Sequence, residues 1–230
     1  MPRYHTVLFD ADNTLFDFSS AEREAIGDTL RLFGVAPSEE KIALYSRINE
    51  EHWKMLERGE IDKITLRVAR FEAFCRHYGF DVDVARLALA YTDALATKGY
   101  LISGALEACR ALAAHCKLYI ITNGIATVQR GRFEPSPLRE FVQELFISEE
   151  LGAEKPHPAY FDAVAAGIPD FDRKKALVVG DSLSSDMRGG ANAGIDTCWF
   201  NPKGKSAPAD LPITYTVSTL EELVPLVLGA

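Results

Sequence analysis

The chain has 230 residues, of which 47% are hydrophobic, 10% aromatic and 25% charged, a composition that excludes a disordered, collagenous or coiled-coil protein and can bury a core without staples. At roughly 150 residues per domain, this length makes one large domain, or one domain with something added. Twenty-five Lys and Arg against 33 Asp and Glu give a net charge of −8, which argues against a nucleic-acid polymer as a partner.

The first apolar run, residues 6–9, reads as a strand that runs into Asp10. Residues 16–97 then hold no convincing strand. They show helical patterns at 21–33, 39–57, 63–78 and 84–95, with breaks at 34–38, 59–62 and 79–83. From residue 98 onward strands and helices are interleaved: helix 105–114, strands 118–121 and 145–147, helix 158–166, strand 177–179, helix 185–193, strand 197–200, strand 213–217 and helix 219–228. Residues 134–137, Glu-Pro-Ser-Pro, should break the local helix early, and 201–212 reads as a surface loop. The alternation predicts right-handed βαβ units, and strands that are apolar throughout belong in a sheet covered on both faces.

The expected fold class is therefore α/β: a Rossmann-like, doubly wound parallel sheet formed by residues 1–15 and 98–230, with an all-helical domain, 16–97, inserted after the first strand. Each of the two pieces carries a net charge of −4, so neither is a basic binding module. Cys75, Cys109, Cys116 and Cys198 lack any zinc-binding spacing and read as reduced, buried thiols. The N-terminal apolar run is far shorter than the ~7–15 residues of a signal peptide. No run approaches the ~20 residues of a membrane span either. A cytoplasmic protein without a membrane partner, monomeric or weakly homodimeric, is the expectation.

The chemistry-bearing residues fall at the ends of the predicted strands, where open α/β sheets bind ligands. Asp10 and Asp12 follow the first strand. Thr122, Asn123 and Gly124 follow the second, a hydroxyl, an amide and a glycine suited to holding a phosphate. Lys155 precedes Pro156 in a loop after the third, and Gly180-Asp181 ends the fourth, with Asp186 five residues after Asp181. Taken alone, Asp-rich turns are common caps. Acids, a hydroxyl and a lysine on successive strand ends form a constellation.

These residues resemble the four motifs of the haloacid dehalogenase (HAD) superfamily, in order and over the whole chain: D-x-D-x-T at Asp10, Asp12 and Thr14, then Thr122, Lys155, and G-D-x-x-x-x-D from Gly180 to Asp186. The helical insertion resembles that family's cap domain. The resemblance implies that Asp10 is a nucleophile forming an aspartyl-phosphate and that Asp12 is the acid and base. It further implies that Lys155, Thr122 and Asn123 bind the phosphoryl group. Mg²⁺ is the implied cofactor, held by Asp10, the Asp12 backbone carbonyl and Asp181. Asp186 is left open between metal ligand and supporting acid, and Thr14 is expected to order the loop.

Asp12 favours phosphate esters over the dehalogenase and phosphonatase branches. Several stretches, F-D-A-D-N-T-L-F-D-F, T-N-G-I-A-T-V-Q-R-G-R-F, I-S-E-E-L-G-A-E-K-P and A-G-I-D-T-C-W-F-N, are similar to bacterial house-cleaning pyrimidine 5′-nucleotidases. The implied substrate is a small phosphate monoester, a pyrimidine nucleoside monophosphate. The alternatives are a phosphosugar phosphatase or mutase, and a non-catalytic phosphate-sensing protein. Phe16, Phe18, Trp53, Arg67, Arg70 and Phe71 are candidates for contacts with a base. Individually, core packing is expected of the aromatics and a solvated helix face of the arginines.

Overall fold

The computed structural model describes residues 2–229. Six strands, β1 (Thr6–Asp10), β2 (Lys117–Thr122), β3 (Val142–Ile147), β4 (Ala176–Gly180), β5 (Asp196–Phe200) and β6 (Tyr215–Val217), form one sheet in the order β3-β2-β1-β4-β5-β6. Every pairing in it is parallel. The chain works outward from β1 to β2 and β3 on one side, then crosses to β4, β5 and β6 on the other. The order therefore reverses between β1 and β4, the crevice where ligands bind in such sheets.

Helices cover both faces, among them α5 (Ala105–Ala113), α6 (Ala126–Phe133), α7 (Ser148–Leu151), α8 (Pro158–Gly167), α9 (Arg188–Asn192) and α10 (Leu223–Leu228), which follow α1 (Phe18–Leu32), α2 (Glu39–Glu57), α3 (Lys63–Tyr78) and α4 (Val84–Ala96). β1 is buried along its whole length, and its alternation sorts the two cores. Val7 and Phe9 join Ala108, Leu112 and Leu223 on one face, whereas Leu8 joins Tyr160, Phe161 and Met187 on the other. Asp10 continues the parity of Leu8, toward the face that α8 covers.

Several elements depart from the expected pattern; β3 begins at Val142 rather than at 145, and α7 follows it directly. The helix expected at 185–193 is a wide π turn, Leu183–Met187, followed by α9. Helix 219–228 begins only at Leu223, because Pro225 has no N–H to bond and is tolerated only in a first turn. α6, the local helix that residues 134–137 were expected to break, has no bounds in the sequence because its buried face carries Gln129 and Arg132 beside Val128 and Phe133, which blurs the apolar period. It ends at Phe133, before the Glu-Pro-Ser-Pro stretch.

The chain divides into two compact units, at Phe18/Ser19 and Lys98/Gly99. Residues 16–18 belong with the sheet, because Phe16 bridges Leu101, the Asp17 N–H donates to the Tyr100 carbonyl at 2.9 Å and Ile102 N–H to that of Leu15 at 2.9 Å. The unit Ser19–Lys98 is wholly helical apart from its connections. Its helices start where side chains can cap them: Ser38 accepts from Lys41 N, Asp62 from Thr65 N and Asp83 from Arg86 N. α3 stops at Gly79, which takes the left-handed conformation with φ 65°.

The interior of the helical unit holds Tyr45, Phe71, Phe74 and Tyr91 in mutual ring contact. A buried polar chain threads it. Glu22 accepts from Ser46 and Asn49, both at 2.6 Å, and the Asn49 side-chain carbonyl accepts from Arg70 Nη1 at 2.7 Å. Arg70 is thus not on a solvated face; it lies buried against the rings of Phe71 and Tyr91. Phe71 is likewise interior, while Trp53 and Arg67 are half-buried.

Candidate active site

β1 delivers Asp10 to the sheet's carboxyl edge, and the turn that follows is tightly wound. Asn13 takes φ 59°, a left-handed conformation that Asn tolerates, and the Ala11 carbonyl accepts from both Leu15 N and Phe16 N. This winding brings the Thr14 hydroxyl back to donate to Asp10 Oδ2 at 3.4 Å. The other oxygen, Oδ1, accepts from Lys155 Nζ at 2.6 Å.

Lys155 is 2% exposed. Its ammonium also donates to Asp186 Oδ1 at 2.7 Å and to the Ile121 carbonyl at 3.0 Å, so all three donors are used. Its backbone is fixed by Asn123, whose amide donates to the Lys155 carbonyl at 2.8 Å while its carbonyl oxygen accepts from Lys155 N at 2.9 Å. Asn123 therefore has a loop-clamping role that its sequence position did not announce. Thr122 is buried, and its hydroxyl accepts from Gly124 N at 3.0 Å.

Asp186, left open by the sequence, is fully buried and accepts from Ser182 N at 3.1 Å besides Lys155. Two local features put it there: the π turn, and the glycine at 180. A Cβ on Gly180 would stand 2.3 Å from Asp186 Oδ2, so no other residue allows this approach. Asp181 is held through its backbone carbonyl, which accepts from Trp199 Nε1 at 3.0 Å.

Burial pushes the Asp10 carboxyl well above the ordinary range; Lys155 pulls it down, while Asp186, Asp181 and Asp12 push it further up. Asp181 is pushed up to about 7, by burial first and then by Asp186. Burial opposes the charge on Lys155, but Asp10 and Asp186 outweigh it and hold the ammonium protonated.

These shifts express an imbalance. Among the described residues, the carboxyl groups of Asp10, Asp12, Asp181 and Asp186 make ion pairs only with Lys155 and Arg132, and Lys205 adds a weaker, more distant positive charge toward Asp181. One oxygen from each of Asp10, Asp181 and Asp186 lies within 4.8 Å of the others. Hard oxygen donors at this spacing, with negative charge unmet by the protein, fit a divalent cation such as Mg²⁺.

Beyond this cluster stands Asp12, whose two oxygens accept from Arg132 Nη2 at 2.6 Å and Gln129 Nε2 at 2.7 Å. Neither partner was singled out from the sequence. The available signal was a Gln and an Arg one helical turn apart, just after the Thr-Asn-Gly stretch. Phe16 is buried in the sheet's core and lies with half-buried Phe18 against the Arg132 guanidinium.

The profile of the haloacid dehalogenase-like hydrolases matches residues 4–194. The chain belongs to the haloacid dehalogenase-like hydrolase family. This HAD hydrolase is 37% identical to the pyrimidine 5′-nucleotidase PynA of Streptococcus pneumoniae, over 96% of this chain and 94% of that protein. It is 34% identical to the pyrimidine 5′-nucleotidase YjjG of Escherichia coli, over 96% of both chains. Among solved structures, the magnesium-bound HAD-hydrolase YfnB of Bacillus subtilis superposes with a TM-score of 0.93 at 36% identity, covering 98% of this chain and 99% of that one. The protein is a hydrolytic enzyme of a phosphatase-containing family. Among the described residues no helix is long and apolar enough to cross a membrane, and all four cysteines are buried free thiols.

Proposed function

We propose that this HAD hydrolase is an Mg²⁺-dependent phosphomonoesterase that works through a phosphorylated Asp10, and that its substrates are pyrimidine nucleoside 5′-monophosphates. The observation that carries the reaction is the buried Asp10 carboxylate, gripped by Lys155 at 2.6 Å within a cluster of acids at the sheet's switch point. The nucleotide preference rests on the two relatives named for that activity.

Asp10, Asp181 and Asp186 are the side chains that would hold the cation, with the Asp12 backbone carbonyl as a further donor. The bound cation supplies positive charge that lets a carboxylate approach a phosphate dianion. Thr14 and Lys155 orient Asp10 so that one of its oxygens can attack phosphorus. The new Asp10 O–P bond forms as the bond to the leaving oxygen breaks, and Asp12 gives that oxygen its proton. In the second half Asp12 takes a proton from water as the water oxygen attacks phosphorus. The Asp10 O–P bond breaks, inorganic phosphate leaves and both carboxyl groups return to their starting states. Thr122 and the Asn123 backbone bind the phosphoryl oxygens, and the buried charge of Lys155, whose three donors are held by Asp10, Asp186 and the Ile121 carbonyl, screens them; the helical unit, as a cap domain, selects the leaving group.

The test is phosphate release in Mg²⁺ from a panel of pyrimidine and purine nucleotides and sugar phosphates, with Asp10→Asn as control. Fastest turnover of pyrimidine nucleotides, abolished in Asp10→Asn, is expected. Preference for a sugar phosphate would move the substrate to the phosphosugar class, and isomerisation without release would make the protein a mutase. Turnover surviving in Asp10→Asn would refute the nucleophile.

A further inference from the structure

The Arg132 side chain is completely buried, yet only one of its guanidinium nitrogens, Nη2, is hydrogen-bonded; Nε and Nη1 have no hydrogen-bond partner. A guanidinium so placed is costly, since burying a charge is offset only when its donors are satisfied. The rings of Phe16 and Phe18, centred 5.5 and 6.0 Å from its Cζ, recover part of that cost through their electron-rich faces. An apolar side chain of similar volume would fill the space with less penalty. What the arginine does that Met or Leu cannot is hold one oxygen of Asp12.

Gln129, one turn earlier on the same face of α6 and also buried, holds the other oxygen. The two donors together fix the plane of the Asp12 carboxylate. A carboxylate has about four acceptor sites, so both oxygens keep a lone pair, and the 27% of the Asp12 side chain that remains exposed is open to a reacting group. The reach of Gln129 depends in turn on a missing atom. A Cβ on Gly124 would stand 2.0 Å from Gln129 Nε2 and 2.8 Å from its Cδ, so the glycine after Thr122-Asn123 is the space through which the amide passes to Asp12.

We infer that Gln129 and Arg132 are positioning residues that hold the Asp12 carboxyl group in the plane from which, when protonated, it transfers its proton to the leaving oxygen, with Gly124 providing the space Gln129 needs. The inference rests on the reading of Asp12 as the proton donor to the leaving group.

The test is leaving-group dependence, measured on the full chain in Mg²⁺ with phenyl phosphate and p-nitrophenyl phosphate. kcat/KM covers the steps through transfer to Asp10. Phenolate needs a proton to depart and nitrophenolate does not, so the ratio of the two values reads the acid alone. Gln129→Leu and Arg132→Met are expected to lower kcat/KM for phenyl phosphate about tenfold or more beyond any loss on p-nitrophenyl phosphate, a modest part of the 10²–10⁴ of a general acid. Arg132→Lys should recover part of that ratio. Gly124→Ala should shift the ratio in the same direction, and should shift it no further when added to Gln129→Ala.

Equal losses on both esters, or additive effects of Gly124→Ala and Gln129→Ala, overturn the inference. Should Arg132→Met fail to fold, the Gln129 and Gly124 variants decide the question. A wild-type protein that hydrolyses neither ester nor any substrate of the panel defeats the phosphatase reading itself. Wild-type turnover that Asp10→Asn abolishes, with an unmoved ratio in Gln129→Leu, defeats this inference only.

Discussion

Replacing Lys155 by Met keeps a buried chain of similar length and removes the cation shared by Asp10 and Asp186 at 2.6 and 2.7 Å. Both carboxylates then lose their counter-charge, and the Ile121 carbonyl loses a donor. Removing one partner of a buried pair costs about 3–5 kcal/mol, which at about 2–4 °C per kcal/mol lowers the melting temperature by roughly 6–20 °C.

The penalty should depend on pH. Asp10 already titrates above its unfolded value, and Lys155 is the group pulling it down, so the variant's Asp10 rises further. A group raised in the folded state contributes stability that is complete below its unfolded pKa and lost as pH rises through its folded pKa. The loss in Lys155→Met is therefore smallest near about pH 5, on the side where Asp10 takes up its proton, and grows toward about pH 8. The assay is thermal unfolding with a chelator present, since a divalent cation could replace the missing charge. A variant within about 1 kcal/mol of wild type near neutral pH, or one displaced equally at both pH values, would refute the reasoning.

Gly180→Ala drives a Cβ to 2.3 Å from Asp186 Oδ2; displacing that carboxylate should cost about 1–3 kcal/mol in urea unfolding, alongside a fall in phosphate release, and an unchanged variant would disprove the tight approach. Asp181, pushed up to about 7, binds a proton that a divalent cation must displace, so the thermal stabilisation by Mg²⁺ should increase from about pH 6 to about pH 8; an equal rise at both would exclude Asp181 as a ligand. In the helical unit, burial raises Glu22 while Ser46, Asn49 and Arg70 draw it back down. Arg70→Met leaves the Asn49 side-chain carbonyl without its donor and should destabilise by about 1–3 kcal/mol, and more at neutral than at acid pH, because Glu22 ionises there without the nearby positive charge; urea unfolding across pH checks the sign.

The sequence alone determined the architecture and named most of the residues that the fold gathers in the candidate site. Uninterrupted apolar runs separated by helical periods carry a doubly covered parallel sheet, because strands buried on both faces have no polar side to show. The residues at the ends of those runs are bound to meet along one edge. Asp10, Lys155 and Asp181 were legible for that reason, as was the helical stretch after β1, whose Ser38, Asp62 and Asp83 caps are local signals.

What only the tertiary structure decided concerns polar groups whose partners lie far away in the chain. Asp186 could not be placed from sequence, because a π turn and the bare Gly180 Cα set its approach to Lys155. Arg70 reads as a surface residue until Asn49, twenty-one positions earlier, is seen to accept from it. Gln129 and Arg132 made α6 look unlike a helix with a buried face, because periodicity counts apolar residues and this face is buried around a carboxylate. A hydrophobic pattern records which side chains leave water; which charge a buried cation answers is settled only when strands distant in sequence are laid side by side.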